Sequence, residues 1–326
     1  MSTQRMTLAK ALTAGLTRAL EEDPATMLLG EDIGKLGGVY RITEGLQARF
    51  GDKRVVDTPL AESGIVGSCI GLAMRGRRPV AEIQFDGFVF PGFNQITTQL
   101  AKMHMRSEGR LNLPVTIRIP YGGGIGSVEH HSESPEALFA HTAGLRIMSP
   151  STPNDAYWMI QEAISCPDPV IFFEPKRRYW LKGEVDLEHP APSAQTAQIV
   201  RSGADATILA WGPLVPVAMA AAQAAVEDGR EIEVIDLRSL SPVDFDTITE
   251  SVQRTGRLVI AHEAPTFGGL GGEIAARVTE RAFYSLQAPV IRVGGYHMPY
   301  PPSKVEAQYL PDIDRILDAL DRSFDY

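Results

Sequence analysis

The feature that most constrains this chain is a repeated switch of hydrophobic period, in which short apolar runs alternate with longer amphipathic segments along nearly all of its 326 residues. Thr7 opens an amphipathic segment carrying Leu8, Leu12, Leu16 and Leu20, and the apolar run 27–29 then ends in Gly30-Glu31-Asp32. The pattern predicts strands over 55–57, 80–85, 115–119, 146–148 and 170–173. Helices are predicted over 63–74 and 93–105, and from the Ser134-Pro135 and Thr152-Pro153 starts. Ser or Thr before Pro suits a helix start, because the hydroxyl accepts an orphan amide proton and proline lacks an N–H that would be unsatisfied there anyway.

Residues 182–198 are polar and proline-bearing and show no period, so 184–200 is expected to be a linker. Beyond it the alternation resumes. Strands are predicted over 207–210, 232–235, 258–261 and 290–293, and helices over 215–226, from Ser241-Pro242 with Asp244 as capping partner, and over 273–283 and 312–320. Such alternation calls for parallel sheets covered on both faces. The expected class is α/β, with two parallel-sheet α/β domains at 1–183 and 201–326.

Acidic residues outnumber basic ones 40 to 31, giving a net charge of -9, which argues against a nucleic-acid backbone or an anionic membrane as main partner. Two cysteines, Cys69 and Cys166, make neither a disulfide framework nor a CxxC pair. The N-terminal residues lack the apolar core of a signal peptide, and no apolar run reaches membrane-spanning length. A soluble cytoplasmic protein is expected, or a mitochondrial matrix protein if a transit peptide has been removed.

Ligands of open α/β sheets gather at the carboxyl ends of strands, so residues there are the first candidates. In 58–67, TPLAESGIVG, Glu62 stands at a strand-to-helix junction among small and apolar neighbours. Such a carboxyl should have a raised pKa and can share a proton with a ligand nitrogen; alternatively it only complements the helix N-terminus. Gly64, Gly67 and Gly71 recur at helical spacing and permit close approach by another helix or chain. Gln84, Phe85 and Phe88 can sandwich a flat heterocycle and bond its edge, or pack in the core.

The loop 121–127, YGGGIGS, resembles a phosphate cradle in composition but lacks the Gly-Lys-Ser/Thr of a P-loop, and it leads into His130-His131. Adjacent histidines lack helical metal-ligand spacing. One of them is a candidate for acid/base or hydrogen-bonding chemistry, or both are solvated loop residues. The glycine run 267–273 sits where a dinucleotide fingerprint would sit, but its spacing is wrong and the next strand supplies no ribose-binding acid, which disfavours an NAD-linked dehydrogenase. No GxSxG elbow occurs.

Together, TPLAESGIVG, AEIQFDGF, the loop leading to HHSESPEALFAH, PVIFFEPKRRYW, EVIDLRSLSP and HEAPTFGGLGGEI resemble the beta subunit of the thiamine-diphosphate-dependent 2-oxo acid dehydrogenases, in order from about Met6 to the C-terminus. The resemblance implies a transketolase-like pyrimidine-binding domain followed by a transketolase C-terminal domain. It also implies an α2β2 heterotetramer with an alpha subunit, and a lipoyl-bearing acyltransferase as acyl acceptor.

By the same resemblance, Glu62 bonds the aminopyrimidine of thiamine diphosphate and drives its imino tautomer, Phe88 packs on that ring, and Leu60 and Gln84 line its pocket. His131 serves acyl transfer to lipoamide. Backbone carbonyls of Val115, Ala163, Cys166 and Asp168 fall where the family can bind potassium. The Gly-Asp-Gly segment that holds Mg2+ and diphosphate in this superfamily is missing from the sequence, so the alpha subunit is expected to supply it. Phe173 to Lys176 and His262 to Pro265 look more like branched-chain members than pyruvate members, so a branched-chain 2-oxo acid is the expected substrate. Pyruvate or acetoin dehydrogenase and a noncatalytic assembly subunit are the alternatives.

Overall fold

The computed structural model describes residues 3–326. The chain divides into two compact units that are not contiguous in sequence: 1–121 with 138–194, and 122–137 with 195–326. The segment that bears the two adjacent histidines therefore belongs to the C-terminal unit, a placement that a single cut in the sequence does not capture.

In the first unit six strands are neighbours in the order Arg146–Met148, Val170–Pro175, Thr116–Tyr121, Arg78–Glu82, Thr26–Gly30 and Val55–Asp57, all parallel. Every residue of Thr116–Tyr121 and Val170–Pro175 is buried, as expected for central strands with both faces covered. The helix Leu8–Glu22 starts where Thr7 accepts the Lys10 amide, and it buries Leu8, Leu12, Leu16 and Leu20. Thr152 likewise caps the helix Pro153–Ser165 through the Asp155 amide.

The central strands carry buried charge. Arg118 reaches Glu82 on one neighbouring strand at 2.7 Å and Glu174 on the other at 2.6 and 3.0 Å, and the Tyr179 hydroxyl donates to Glu174 at 2.6 Å. Burial opposes the guanidinium's charge, yet the two carboxylates raise its pKa above the usual arginine value; burial raises that of Glu82. This network knits three strands together just before the chain leaves the sheet toward Gln84.

The C-terminal unit has its own five-stranded sheet, ordered Ile291–Gly295, Leu258–Pro265, Ala206–Ala210, Ile232–Asp236 and Gln198–Arg201, with only the last strand antiparallel. Its core clusters Ile208, Leu214, Val234, Val259 and Ile316.

Several elements differ from the sequence expectation. The stretch expected to be a linker begins inside Lys182–Asp186, which pairs antiparallel with Thr3–Thr7 in a two-stranded sheet, and its end enters Gln198–Arg201. Both strands are short and polar on much of their surface, so neither displays a two-residue apolar period. Asp244, accepting from Thr247, is itself the cap of Phe245–Thr255, whereas Ser241 ends a short strand. The predicted helix 93–105 is a π-helical stretch, Gln95–Leu100, that runs into Ala101–Arg106.

Candidate active site

The strand ends of the first unit bring the predicted pocket residues onto adjoining loops. Glu62 is the first residue of the helix Glu62–Met74 and is only 6 % exposed, while Leu60, two residues earlier, is 78 % exposed. Gln84 leaves the strand Arg78–Glu82, and its amide donates to the Glu31 carbonyl at 3.3 Å and to the Asp32 carboxylate at 3.4 Å. Phe88 sits on the 3-10 segment Asp86–Gly92 and is half-buried, edge-on to Phe85 with centroids 5.9 Å apart. That segment is anchored by a fully buried ion pair between Asp86 and Lys176 at 2.5 Å.

The structure adds a second acid that was not singled out from the sequence. Glu31 follows the strand Thr26–Gly30, and its pKa is raised by burial, by the nearby Glu62 and by Asp32. Its signal was only an acidic pair after a strand, a pattern shared with many surface turns. Glu31 thus lies close enough to feel the Glu62 carboxylate, and Gln84 is tied to the same turn.

The helix Glu62–Met74 is apolar around most of its circumference, yet Gly64, Gly67, Ser68, Gly71 and Met74 are exposed. A Cβ built on Gly71 would meet nothing within 4 Å. Cβ atoms on Gly64 and Gly67 would make only ordinary contacts, 3.6 Å from Ala61 and 4.0 Å from Gln95, so packing within this unit does not require glycine at these positions.

His131 lies on the 3-10 turn Glu129–His131 and is partly buried, with its ring edge-on to His130 at 4.5 Å. The glycine loop before it does not present free amides to a phosphate. Gly123 donates to the Glu263 carboxylate, and Gly124 and Gly126 donate to the two oxygens of Glu306 at 2.8 and 3.0 Å. Nor do the glycines of 267–273 form a dinucleotide turn. Cβ atoms on Gly269 and Gly271 would come within 2.8 and 2.7 Å of the His262 ring, which stacks on Trp211 with centroids 5.1 Å apart and planes 12° apart. They are close-packing positions.

The four carbonyls expected to hold potassium lie around the end of the helix Pro153–Ser165 and the start of Thr116–Tyr121. Two cations of the protein already serve this turn. Arg78 donates to the Ile164 and Ser165 carbonyls, both at 3.1 Å, and Arg146 pairs with Asp168 at 2.9 Å. The Val115 carbonyl accepts the Val170 amide at 2.9 Å. A helix C-terminus attracts positive charge, and here arginine side chains supply part of it, next to the expected carbonyls of Ala163, Cys166 and Asp168.

Comparison with known proteins decides the family. Residues 4–180 match the transketolase pyrimidine-binding domain, and 195–316 match the transketolase C-terminal domain. The chain is 65 % identical over 324 residues to the "Pyruvate dehydrogenase E1 component subunit beta" of Leifsonia xyli, covering 99 % of this chain and 96 % of that one. This chain belongs to the E1 beta-subunit family of 2-oxo acid dehydrogenases. It is also 50 % identical to the "3-methyl-2-oxobutanoate dehydrogenase subunit beta" of Mycobacterium tuberculosis, covering 98 % and 92 % of the two chains. Among solved structures it resembles "Split gene transketolase, inactive beta4 tetramer", with a TM-score of 0.82, 21 % identity and 98 % coverage of both chains, a likeness of fold.

Within the E1 beta family, then, Glu62, Gln84 and Phe88 gather on neighbouring strand-end loops of the pyrimidine-binding unit, whereas His131 is carried by a segment of the C-terminal unit. Among the described residues, no helix is long and apolar enough to cross a membrane.

Proposed function

We propose that this E1 beta chain binds the pyrimidine half of thiamine diphosphate and, with an alpha subunit, catalyses oxidative decarboxylation of a 2-oxo acid and reductive acylation of a lipoyl group. The observation that carries the reading is the placement of Glu62: a buried carboxyl at a strand-to-helix junction, beside Glu31 and within the same loop cluster as Gln84 and Phe88. A carboxyl, a flanking aromatic ring and an amide suit a flat, nitrogen-rich heterocycle, so the residues fit the group.

Thiamine diphosphate, when bound, supplies the nucleophilic carbon and the electron sink that decarboxylation needs. Glu62 holds the aminopyrimidine through its carboxyl and exchanges one proton with a ring nitrogen, as a carboxyl placed within hydrogen-bond reach can. Phe88 covers the ring face, Leu60 lines the edge of the pocket, and Gln84, fixed to the Glu31 turn, bonds the ring edge. His131 gives a proton to the lipoyl sulfur as the dithiolane opens, as an imidazole can near neutral pH. Mg2+ and the diphosphate fall to the alpha subunit, since this sequence carries no Gly-Asp-Gly segment.

The exposed apolar face of Glu62–Met74, together with Leu60, supports an α2β2 assembly in which a neighbouring chain covers the glycine stripe. On this reading the isolated chain is inactive.

The substrate is read from the relatives rather than from the two motifs that favoured branched-chain acids. Phe173 and Glu174 are fully buried, with Glu174 held by Arg118, and His262 is spent on Trp211 and the glycines around it. These motifs are packing, so they say little about the 2-oxo acid. The 65 % identity makes pyruvate the first candidate and a branched-chain 2-oxo acid the second. Coexpression with the alpha subunit and a steady-state assay over a panel of 2-oxo acids tests this. Highest kcat/KM on pyruvate is expected; preference for 3-methyl-2-oxobutanoate would restore the branched-chain reading, and no cofactor-dependent turnover on any acid would remove the enzymatic one.

A further inference from the structure

The glycine loop 122–126 adopts positive φ at Gly122, Gly124 and Gly126, at 82°, 83° and 71°. Alternation of this kind turns successive backbone N–H groups toward a common concave side, a nest that binds anions. Here the anions are the protein's own side chains. Glu263, at the end of the strand Leu258–Pro265, takes the Gly123 amide, and Glu306, at the start of the short helix Glu306–Tyr309, takes those of Gly124 and Gly126. The Tyr300 hydroxyl donates to Glu306 at 2.7 Å and fills the space that a side chain at Gly123 would need.

The far end of the same segment is also held by the C-terminal unit. Glu136, fully buried, accepts the Trp211 indole N–H at 3.2 Å, and Trp211 stacks on His262, the residue next to Glu263. His131 lies between these two attachments, on a segment that contributes no strand of its own and that the surrounding unit fixes at both ends.

We propose that Glu306, together with Glu263, is a positioning residue for His131: by ligating the amides of the glycine loop, these carboxylates fix where the histidine stands when a lipoyl group arrives. The inference rests on the role given to His131 above, but the clamp itself does not. Two oxygens facing two amides explain why a carboxylate is needed: in Glu306→Gln one acceptor becomes an NH2 group pointed at a backbone N–H, at nearly unchanged volume.

The test uses the assembled alpha/beta complex. Hydrogen exchange over 122–137 should accelerate in Glu306→Gln, and unchanged exchange would overturn the clamp whether or not the complex turns over any 2-oxo acid. Kinetically, Glu306→Gln should lower lipoyl acylation by ~10- to 100-fold, the scale on which misplacing a reacting group acts, with a much smaller effect on decarboxylation read with an artificial electron acceptor. Added to His131→Ala it should cost little more, because both changes remove the same function. A loss that multiplies fully with that of His131→Ala would mean that Glu306 acts elsewhere, and wild-type acylation by Glu306→Gln would end the proposal. Tyr300→Phe, which removes only the hydroxyl bonded to Glu306, should show the same pattern at reduced size and serves if Glu306→Gln fails to assemble. A wild-type complex inactive on every 2-oxo acid would refute the proposed function, leaving the exchange result to decide the clamp.

Discussion

Tyr300 stands where a side chain on Gly123 would have to go: a Cβ built there would lie 1.7 Å from the phenolic oxygen and 2.5 Å from the ring carbon that bears it. The pair links the glycine loop to the segment that leads into Glu306, so glycine at 123 is a steric requirement of the clamp.

Gly123→Ala is therefore expected to destabilise the chain by about 1–3 kcal/mol, as overpacking of a close contact does. Chemical denaturation of the purified protein checks this. An unchanged midpoint would mean that Tyr300 moves aside freely and that the loop is not gripped.

Two buried groups of the C-terminal unit make stability depend on pH in opposite directions. Burial pushes His262 down to about 4, so its folded-state pKa lies below its unfolded value of 6.5. Its contribution is full above 6.5 and is lost as pH falls toward 4, because only the unfolded chain takes up the proton. The difference corresponds to about 3 kcal/mol at ~1.4 kcal/mol per pH unit. Burial pushes Glu136 up to about 8 from 4.5, so its contribution is full below 4.5 and declines as pH rises through 8. Unfolding free energies from pH 4 to 9 should flatten on the acid side in His262→Phe and on the alkaline side in Glu136→Gln. Parallel curves for wild type and either variant would contradict the corresponding assignment.

Much of this architecture is legible in the sequence because its signals are local. Thr7, Thr152 and Asp312 announce helix starts and cap them through amides three residues on, and the strand runs are apolar because both faces are covered. The strand-to-helix junction that carries Glu62 is legible for the same reason, since the residues on either side of it set it. The partners of the glycine loop are not: Glu263 is 140 residues from Gly123, and Glu306 is 182 from Gly124, so the loop's composition suggests an anion without revealing that the protein supplies it. Likewise, nothing local says that the glycines at 269 and 271 make room for His262, or that residues 122–137 leave the first unit.

Arg78 bears on the expected potassium site. Its guanidinium takes the Ile164 and Ser165 carbonyls, which adjoin the four expected to hold the ion but are not among them, so replacing sodium with potassium at constant ionic strength should raise the unfolding temperature. Differential scanning calorimetry in the two chlorides decides it; stabilisation specific to potassium would place an ion on the carbonyls of Val115, Ala163, Cys166 and Asp168.

The most direct test of the account is the rate of cofactor-dependent 2-oxo acid decarboxylation by Glu62→Gln in a complex shown by its sedimentation to be fully assembled. Gln nearly keeps the size of Glu62, but it has an NH2 group in place of one carboxyl oxygen and cannot exchange a proton with the aminopyrimidine. Loss of ~100-fold or more is predicted, the lower range of general acid–base contributions, while assembly and the fold are retained. Turnover close to wild type in an intact complex would contradict the claim that this buried carboxyl is the proton-exchanging group of the E1 beta chain.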